Sequence, residues 1–178
     1  IVDDGSHDNT SNIIENFSQR DSRIRTIYHT HSKGLPVSLN EGINHSQGKY
    51  IARMDADDIS RQHRFRRQVD ILEDRKDVQV VGSWVRKIDL SGDDLSLWRF
   101  APSKQRNPNS FINEWDGPAH PSVMMRKSAV ERVGKYRISY DRAQDIDLWV
   151  RMAREFGPRF LYIIPEVLFE YRVEPSFF

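Results

Sequence analysis

Three short apolar runs, each followed by a polar turn and an amphipathic segment, constrain this chain more than any other feature of it. Ile1-Val2 runs into Asp3-Asp4-Gly5-Ser6, and Asp8 or Thr10 can then cap a helix with Ile13, Ile14 and Phe17 at helical spacing before the polar break Ser18-Gln19-Arg20-Asp21-Ser22. Ile24, Thr26 and Tyr28 alternate with polar neighbours as a strand does. Gly34-Leu35-Pro36 opens a second helix carrying Val37, Leu39 and Ile43, with a stop at Gly48. Tyr50-Ile51-Ala52-Arg53-Met54 is the next strand and ends in Asp55-Ala56-Asp57-Asp58. Strand, helix, strand, helix, strand predicts right-handed crossovers and an α/β fold with a doubly wound, mostly parallel sheet and helices on both faces. Ligands of such sheets bind at the carboxyl ends of strands, so the two acidic clusters are predicted to share one rim.

The pattern changes after residue 60. Ser60 is read as the cap of a third helix reaching about Asp74, with Phe65, Val69 and Leu72 as its buried stripe. Val78 to Ile88 and Leu95 to Phe100 read as strands joined through the turn Ser91-Gly92-Asp93-Asp94, a hairpin rather than a crossover. A polar loop to Pro108, a strand at Ser122 to Met125, a short helix at Lys127 to Val133, a longer helix at Gln144 to Phe156 and two closing strands complete a smaller mixed β portion in the C-terminal half. There is no internal repeat, low-complexity tract or linker, and 178 residues fit one domain.

Charge and composition exclude several functions. Lys and Arg number 27 against 26 Asp and Glu, so no net field points to a nucleic-acid partner. With 0 Cys there is no disulfide framework, thiolate zinc site or cysteine nucleophile, which fits a reducing compartment. Phe160 to Tyr171 is too short for a transmembrane segment and is broken by Pro165, Glu166 and Glu170, and no signal peptide is visible. The chain enters in mid-strand without an initiator Met. An upstream strand-helix unit of roughly 30 residues is therefore expected, or else a homodimer formed through the unpaired edge of the first strand.

Asp55-Ala56-Asp57-Asp58 packs three carboxylates into four residues, where repulsion is costly unless a cation or several donors compensate. Mg²⁺ or Mn²⁺ suits oxygen ligands and keeps positions open for diphosphate oxygens. An acidic turn that caps the next helix has the same sequence. Asp3-Asp4-Gly5-Ser6 alone reads as a helix-entry turn. On the helix from Gln144, the stripe Leu148, Trp149, Met152, Ala153 and Phe156 sets the rotation and puts Asp145 in the first turn, where backbone N–H groups stabilise an ionised carboxylate. Asp145 can serve there as a base or as a helix-terminal charge, and Asp147 can fill either role. Arg61, Arg64, Arg66 and Arg67 read as a solvated basic face that could also meet phosphates or a membrane surface. His29-Thr30-His31 lacks a third ligand and reads as structural. Trp84, Trp98, Trp115 and Trp149 either pack in the core or line a sugar cleft.

Taken together, Asp3-Asp4-Gly5-Ser6-His7-Asp8-Asn9-Thr10, Gly34, Asn40-Glu41-Gly42-Ile43 and Gly48 to Asp58 resemble, in order and spacing, the successive signatures of family 2 glycosyltransferases with the GT-A fold. His120-Pro121-Ser122-Val123-Met124-Met125-Arg126 and Gln144-Asp145-Ile146-Asp147-Leu148-Trp149 are similar to the family's later motifs. The resemblance implies a nucleotide-sugar-binding half over residues 1–90, lacking its first strand and helix, and an acceptor-binding half over 91–178. It implies that Asp3, Asp4, Asp55, Asp57 and His120 bind the nucleotide sugar, that Asp57 and Asp58 hold Mn²⁺ or Mg²⁺, and that Asp145 is the general base of an inverting transfer. Within those roles, Asp4 meets the nucleobase while Asp3 supports the turn. The implied partners are a UDP-type donor and a glycan or lipid-linked saccharide acceptor. The implied setting is cell-surface polysaccharide synthesis in the cytoplasm, peripheral at the inner face of the membrane. Glu174 stands where the family often has His. Two other readings compete: a haloacid-dehalogenase-type phosphatase, which expects Thr or Val at Ile59 and has no use for the Asp3-Asp4-Gly5-Ser6 turn, and a non-catalytic nucleotide-sugar-binding module.

Overall fold

The computed structural model describes residues 1–100 and 117–173. Strand β1 (Val2–Asp3) leads through helix α1 (Thr10–Arg20) to β2 (Ile27–Tyr28), and the two strands pair in parallel as a crossover requires. The Asp8 carboxylate accepts the Thr10 N–H at 3.0 Å, and Ile14 is the one buried residue of the apolar set on α1, with Ile13 and Phe17 exposed. Helix α2 (Leu35–His45) starts after Gly34, whose φ of +90° is a left-handed value that favours glycine, and Gly42 turns its bare face to Val2 of β1.

The second sheet runs in the order β3 (Tyr50–Ala52), β7 (Met124–Arg126), β5 (Val80–Ile88), β8 (Leu161–Arg172) and β4 (Ile59–Ser60), with β6 (Asp94–Trp98) also on β5. Between β6 and β7 the described chain includes a short 3₁₀ turn at His120–Ser122. The α/β class stands. Parallel pairing holds for β1 with β2 and for the long β5 with β8, whereas β3 with β7, β5 with β7, β4 with β8 and β5 with β6 are antiparallel. The mixed portion is thus larger than the sequence predicts, and β1 and β3 lie in different sheets. The periodicity of residues 1–54 reports the crossovers, but it carries no information about a partner for β3 that arrives from residues 124–126.

Alternation along the central strands explains the layering. Val80, Met125, Leu161 and Ile163 face one core with Ile43 of α2, Ala129 and Val130 of α4 (Lys127–Arg132), and Leu148, Trp149 and Met152 of α5 (Gln144–Phe156). Their neighbours Val81, Met124 and Ile164 face a second core with Leu72 of α3 (Arg64–Asp74). Helices therefore cover both faces. Leu72 and Leu148 are both fully buried, and truncation of either to Ala should cost about 2–5 kcal/mol.

Three local expectations are corrected. Ser60 does not cap α3: it belongs to β4, paired with Phe169, and the helix begins at Arg64. Phe65 is 52% exposed, and the buried stripe is Arg64, Gln68 and Leu72. The reason is hydrogen bonding. Arg64 Nη2 donates to the carbonyls of Arg53 (2.6 Å), Pro121 (3.2 Å) and Val123 (3.3 Å), and Gln68 Nε2 donates to those of Val81 (3.2 Å) and Ser122 (2.7 Å). The Val123 carbonyl also accepts the Arg53 N–H at 3.0 Å, but interior carbonyls need partners, and two polar side chains that supply them displace an aromatic one. The two expected closing strands are one, because β8 bulges past Pro165 and Glu166: Ile164 pairs with Ser83 and Val167 with Trp84. The expected loop to Pro108, Trp115 and Glu174 lie outside the described residues.

Candidate active site

The first acidic turn is wired throughout. Asp3 accepts the Ser6 N–H (3.0 Å) and the Ser11 hydroxyl (2.7 Å), which holds its carboxyl below the usual range. Gly5 sits at φ +84°, and a Cβ there would meet the His31 backbone at 2.9 Å, so this turn excludes other residues. Asp4 accepts the Ser32 hydroxyl (2.7 Å), the N–H groups of Lys33 (2.9 Å) and Gly34 (3.0 Å), and the His29 ring at Nδ1 (2.5 Å). Burial pushes the Asp4 carboxyl up, but those donors together outweigh it and hold it far below the usual carboxylate range. His29, with its side chain almost sealed, spans Asp4 and Glu41 (Nε2 to carboxylate, 2.7 Å), and the Glu41 and Asp4 carboxylates raise its pKa. The structural reading of His29 stands.

The second acidic turn is only half satisfied. Asp55 is gripped by both guanidinium nitrogens of the buried Arg53, at 2.6 and 3.0 Å. Asp58 is buried, and its Oδ1 accepts the Arg172 N–H at 2.8 Å, but its Oδ2 has no partner. Burial, reinforced by the Asp57 and Asp55 charges and opposed by Arg172 and Arg53, pushes the Asp58 carboxyl up to about 6. The Asp57 side chain is exposed, while its carbonyl accepts Arg172 Nε at 2.8 Å. Arg172 Nη1 continues to the carbonyls of Asp89 (2.7 Å) and Leu90 (3.0 Å), so the end of β8 clamps the acidic turn. Among the described residues no three acidic or histidine side chains are placed to cage a metal ion unaided. One or two carboxylates supplemented by substrate phosphates is the donor set Mg²⁺ ordinarily accepts, and the orphaned Asp58 oxygen beside Asp57 fits it.

Beside this turn lies a cleft lined by Trp98, His120, Asp145, Ile146, Trp149 and Tyr171. Burial raises the Tyr171 pKa, and the carboxylates of Asp58, Asp55 and Asp57 raise it further, so the acidic turn acts directly on the cleft wall. Asp145 sits in the first turn of α5 and burial raises its pKa, with backbone N–H groups and the Arg53 charge opposing. Among the described residues it makes no ion pair. Asp147 is different: Arg151 holds it at 2.7 and 2.9 Å and Arg137 at 3.2 Å, which makes it a structural charge. His120 is buried with Nε2 2.7 Å from the Tyr136 hydroxyl, and burial drives its pKa well below the usual value, so the ring is neutral.

The structure thus gathers Asp55, Asp57, Asp58, His120 and Asp145 around Arg53 and Tyr171, while Asp3 and Asp4 belong to a separate hydrogen-bonded cluster around His29. Nothing in the sequence assigns a role to Arg53, Tyr171 or Arg172, and Arg64 reads there as surface charge. The signal available for Arg64 was its spacing of four from Gln68, two polar residues one turn apart on a helix with few apolar ones. Trp98 and Trp149 line the cleft, whereas the Trp84 indole donates to the Phe100 carbonyl at 2.9 Å.

Comparison with known proteins now bears on this geometry. Residues 1–134 match the family described as Glycosyl transferase family 2. The chain belongs to that family. Among curated relatives of this family 2 chain, the putative glycosyltransferase EpsE of Bacillus subtilis is 36% identical over 182 residues, covering 100% of this chain and 63% of the relative. A UDP-Gal:alpha-D-GlcNAc-diphosphoundecaprenol beta-1,3-galactosyltransferase of Escherichia coli is 28% identical over 85% of this chain and 54% of its own. The chain therefore spans roughly half to two thirds of the length of these relatives. In fold it is similar to the mannosyltransferase PcManGT from Pyrobaculum calidifontis, solved with GDP-Man and Mn²⁺, at a TM-score of 0.68 and 17% identity, covering 95% of this chain and 46% of that one. That likeness shows the GT-A fold.

Proposed function

We propose that this family 2 chain transfers a sugar from a nucleoside-diphosphate sugar to an acceptor hydroxyl with inversion, and the observation that carries the reading is Asp145, without an ion pair among the described residues, in an aromatic-walled cleft beside a half-satisfied acidic turn. The acceptor hydroxyl oxygen attacks the anomeric carbon, the bond from that carbon to the diphosphate oxygen breaks, and Asp145 takes the hydroxyl proton. A carboxylate partly withdrawn from water is a stronger base than an exposed one, and its ionised form is supported by the helix N-terminus. Trp98, Trp149 and Tyr171 give the cleft an aromatic wall that keeps water away.

Asp57 and Asp58 would hold Mn²⁺ or Mg²⁺, and a cation there supplies charge neutralisation for the departing diphosphate. Asp55, fixed by Arg53, is assigned to the nucleotide portion, with Asp3 and Asp4 shaping the nucleobase end. Residues 1–90 serve as the donor half and 91–178 as the acceptor half. The E. coli relative's UDP-Gal donor and diphosphoundecaprenol acceptor support a UDP-type donor and a lipid-linked saccharide in cell-surface polysaccharide synthesis. No helix among the described residues is long and apolar enough to cross a membrane, and peripheral action at a cytoplasmic membrane face is part of the same reading.

The test is turnover of UDP- and GDP-sugars by wild type, Asp145→Asn and Asp147→Asn. Asp145→Asn should lose about 10²-fold or more in kcat with donor affinity unchanged. Asp147→Asn should lose thermal stability instead, because the carboxylate charge that faces Arg151 and Arg137 is removed. Equal kcat in wild type and Asp145→Asn would overturn the assignment.

A further inference from the structure

His120 shares the cleft wall with Asp145, and its hydrogen-bonding state follows from its neighbours. Its Nε2 lies 2.7 Å from the hydroxyl of Tyr136, a side chain only 3% exposed. That histidine nitrogen is the one hydrogen-bond partner the Tyr136 hydroxyl has among the described residues. The Tyr136 backbone is fixed as well: its N–H donates to Asn40 Oδ1 at 3.0 Å and its carbonyl accepts Asn40 Nδ2 at 2.7 Å, so α2 holds the tyrosine in place. The ring of His120 also meets Trp149 edge-on, with centroids 6.0 Å apart.

A neutral imidazole carries one N–H, on Nδ1 or on Nε2. If Nε2 held the proton, it would donate to the tyrosine oxygen and the buried tyrosine O–H would be left without an acceptor. If Nδ1 holds it, the tyrosine O–H donates to Nε2 and both buried groups are satisfied. Orphaned buried donors are the rarer and costlier defect, so the second arrangement prevails. His120 Nδ1 has no protein partner among the described residues, and the ring lines the cleft.

We propose that Tyr136 locks His120 as the neutral Nδ1–H tautomer, and that this N–H is a substrate-positioning donor to a sugar oxygen lying beside Asp145. Resting on the transferase reading above, this gives the cleft complementary polarity: Asp145 accepts, His120 donates, and a pyranose that places two oxygens toward that wall is selected over one that lacks either. The oxygen belongs to the transferred sugar of the donor or to the acceptor saccharide, and the two arms of the experiment separate these sources.

The tautomer is read in the uniformly ¹⁵N-labelled chain by long-range ¹H–¹⁵N correlation of the imidazole ring, which requires no turnover. Wild type at pH 7.5 should show His120 with a protonated Nδ1 and an unprotonated, hydrogen-bonded Nε2. Tyr136→Phe, which removes a single oxygen, should shift the ring toward a mixture of tautomers, and His120→Gln should remove the signal. UDP-glucose and UDP-galactose form one arm and methyl α- and β-glycosides of glucose, galactose and N-acetylglucosamine the other. A sugar that binds should move the Nδ1–H resonance, and its analogue deoxygenated at the contacted position should bind about tenfold more weakly. A ring found as Nε2–H or as imidazolium in wild type would overturn the tautomer assignment whatever the activity. A correct tautomer whose Nδ1–H is moved by neither arm would overturn the positioning role while leaving the transferase reading intact.

Discussion

The two acidic turns look alike in sequence and are opposites in structure. In Asp3-Asp4-Gly5-Ser6 both carboxylates spend their oxygens on protein donors, six of them counting Ser6, Ser11, Ser32, Lys33, Gly34 and His29. In Asp55-Ala56-Asp57-Asp58 one carboxylate is held by Arg53, one is exposed, and one is buried with an oxygen that nothing satisfies. Their pKa shifts run accordingly in opposite directions: Asp4 falls through its donors, and Asp58 rises to about 6 through burial. A carboxylate fully satisfied by its own protein stabilises the fold, whereas one left short of partners costs stability until a ligand supplies them. The first turn is hydrogen-bonded scaffold, and the second is the turn with a buried acceptor oxygen left over.

The largest expected effect is on the scaffold. Asp4→Ala strands His29, Ser32 and two backbone N–H groups, and chemical denaturation should show a loss of about 3 kcal/mol or more. At the other turn the sign reverses. Asp58→Asn removes a buried charge and should stabilise the ligand-free protein at pH 7.5 by about 3 kcal/mol, following the rule of 1.36 kcal/mol per pKa unit. If both variants destabilise alike, the contrast between the turns is lost.

A pH series sharpens it. The folded pKa of Asp58, about 6, lies above its unfolded value of 3.8, so the folded state binds the extra proton and wild-type stability falls as pH rises through that interval. The advantage of Asp58→Asn should therefore vanish below pH 4 and be complete above pH 7. His29 adds a second trend. Its folded pKa is raised above 6.5, so its contribution is fully present below that pH and is lost as pH rises through the folded value, a loss that His29→Gln should abolish. Asp3→Asn should have the smallest effect, about 1 kcal/mol, since the amide oxygen can still accept one of the two hydrogen bonds.

The difference between the turns also marks what could be read from the sequence. Strand–helix alternation gave the class and nearly every element, because periodicity reports local burial: α5 at Gln144–Phe156 falls where its stripe puts it. The carboxylate positions were legible as types and spacings, and the placement of Asp145 in a helix's first turn followed from rotation alone. Pairing was not legible, because β3 joins β7 from more than 70 residues away and β4 is a two-residue strand held only by β8. Nor was the buried face of α3, since Arg64 and Gln68 are inside to satisfy carbonyls of other segments, a demand invisible to hydropathy. His29 was rightly read as structural, but its two carboxylate partners, Asp4 and Glu41, come from different elements and only the fold unites them.

The central claim is that the second turn acquires its missing partner with a cation and a nucleoside diphosphate. Isothermal titration of UDP and GDP into this chain, with Mn²⁺ and with EDTA, tests it in wild type, Asp58→Asn and Asp3→Asn. The account predicts that Mn²⁺ tightens binding of at least one nucleotide about 10²-fold in wild type and in Asp3→Asn, and that Asp58→Asn abolishes the gain, as removal of a direct ligand should. The same affinity in all three proteins with and without the metal would contradict it.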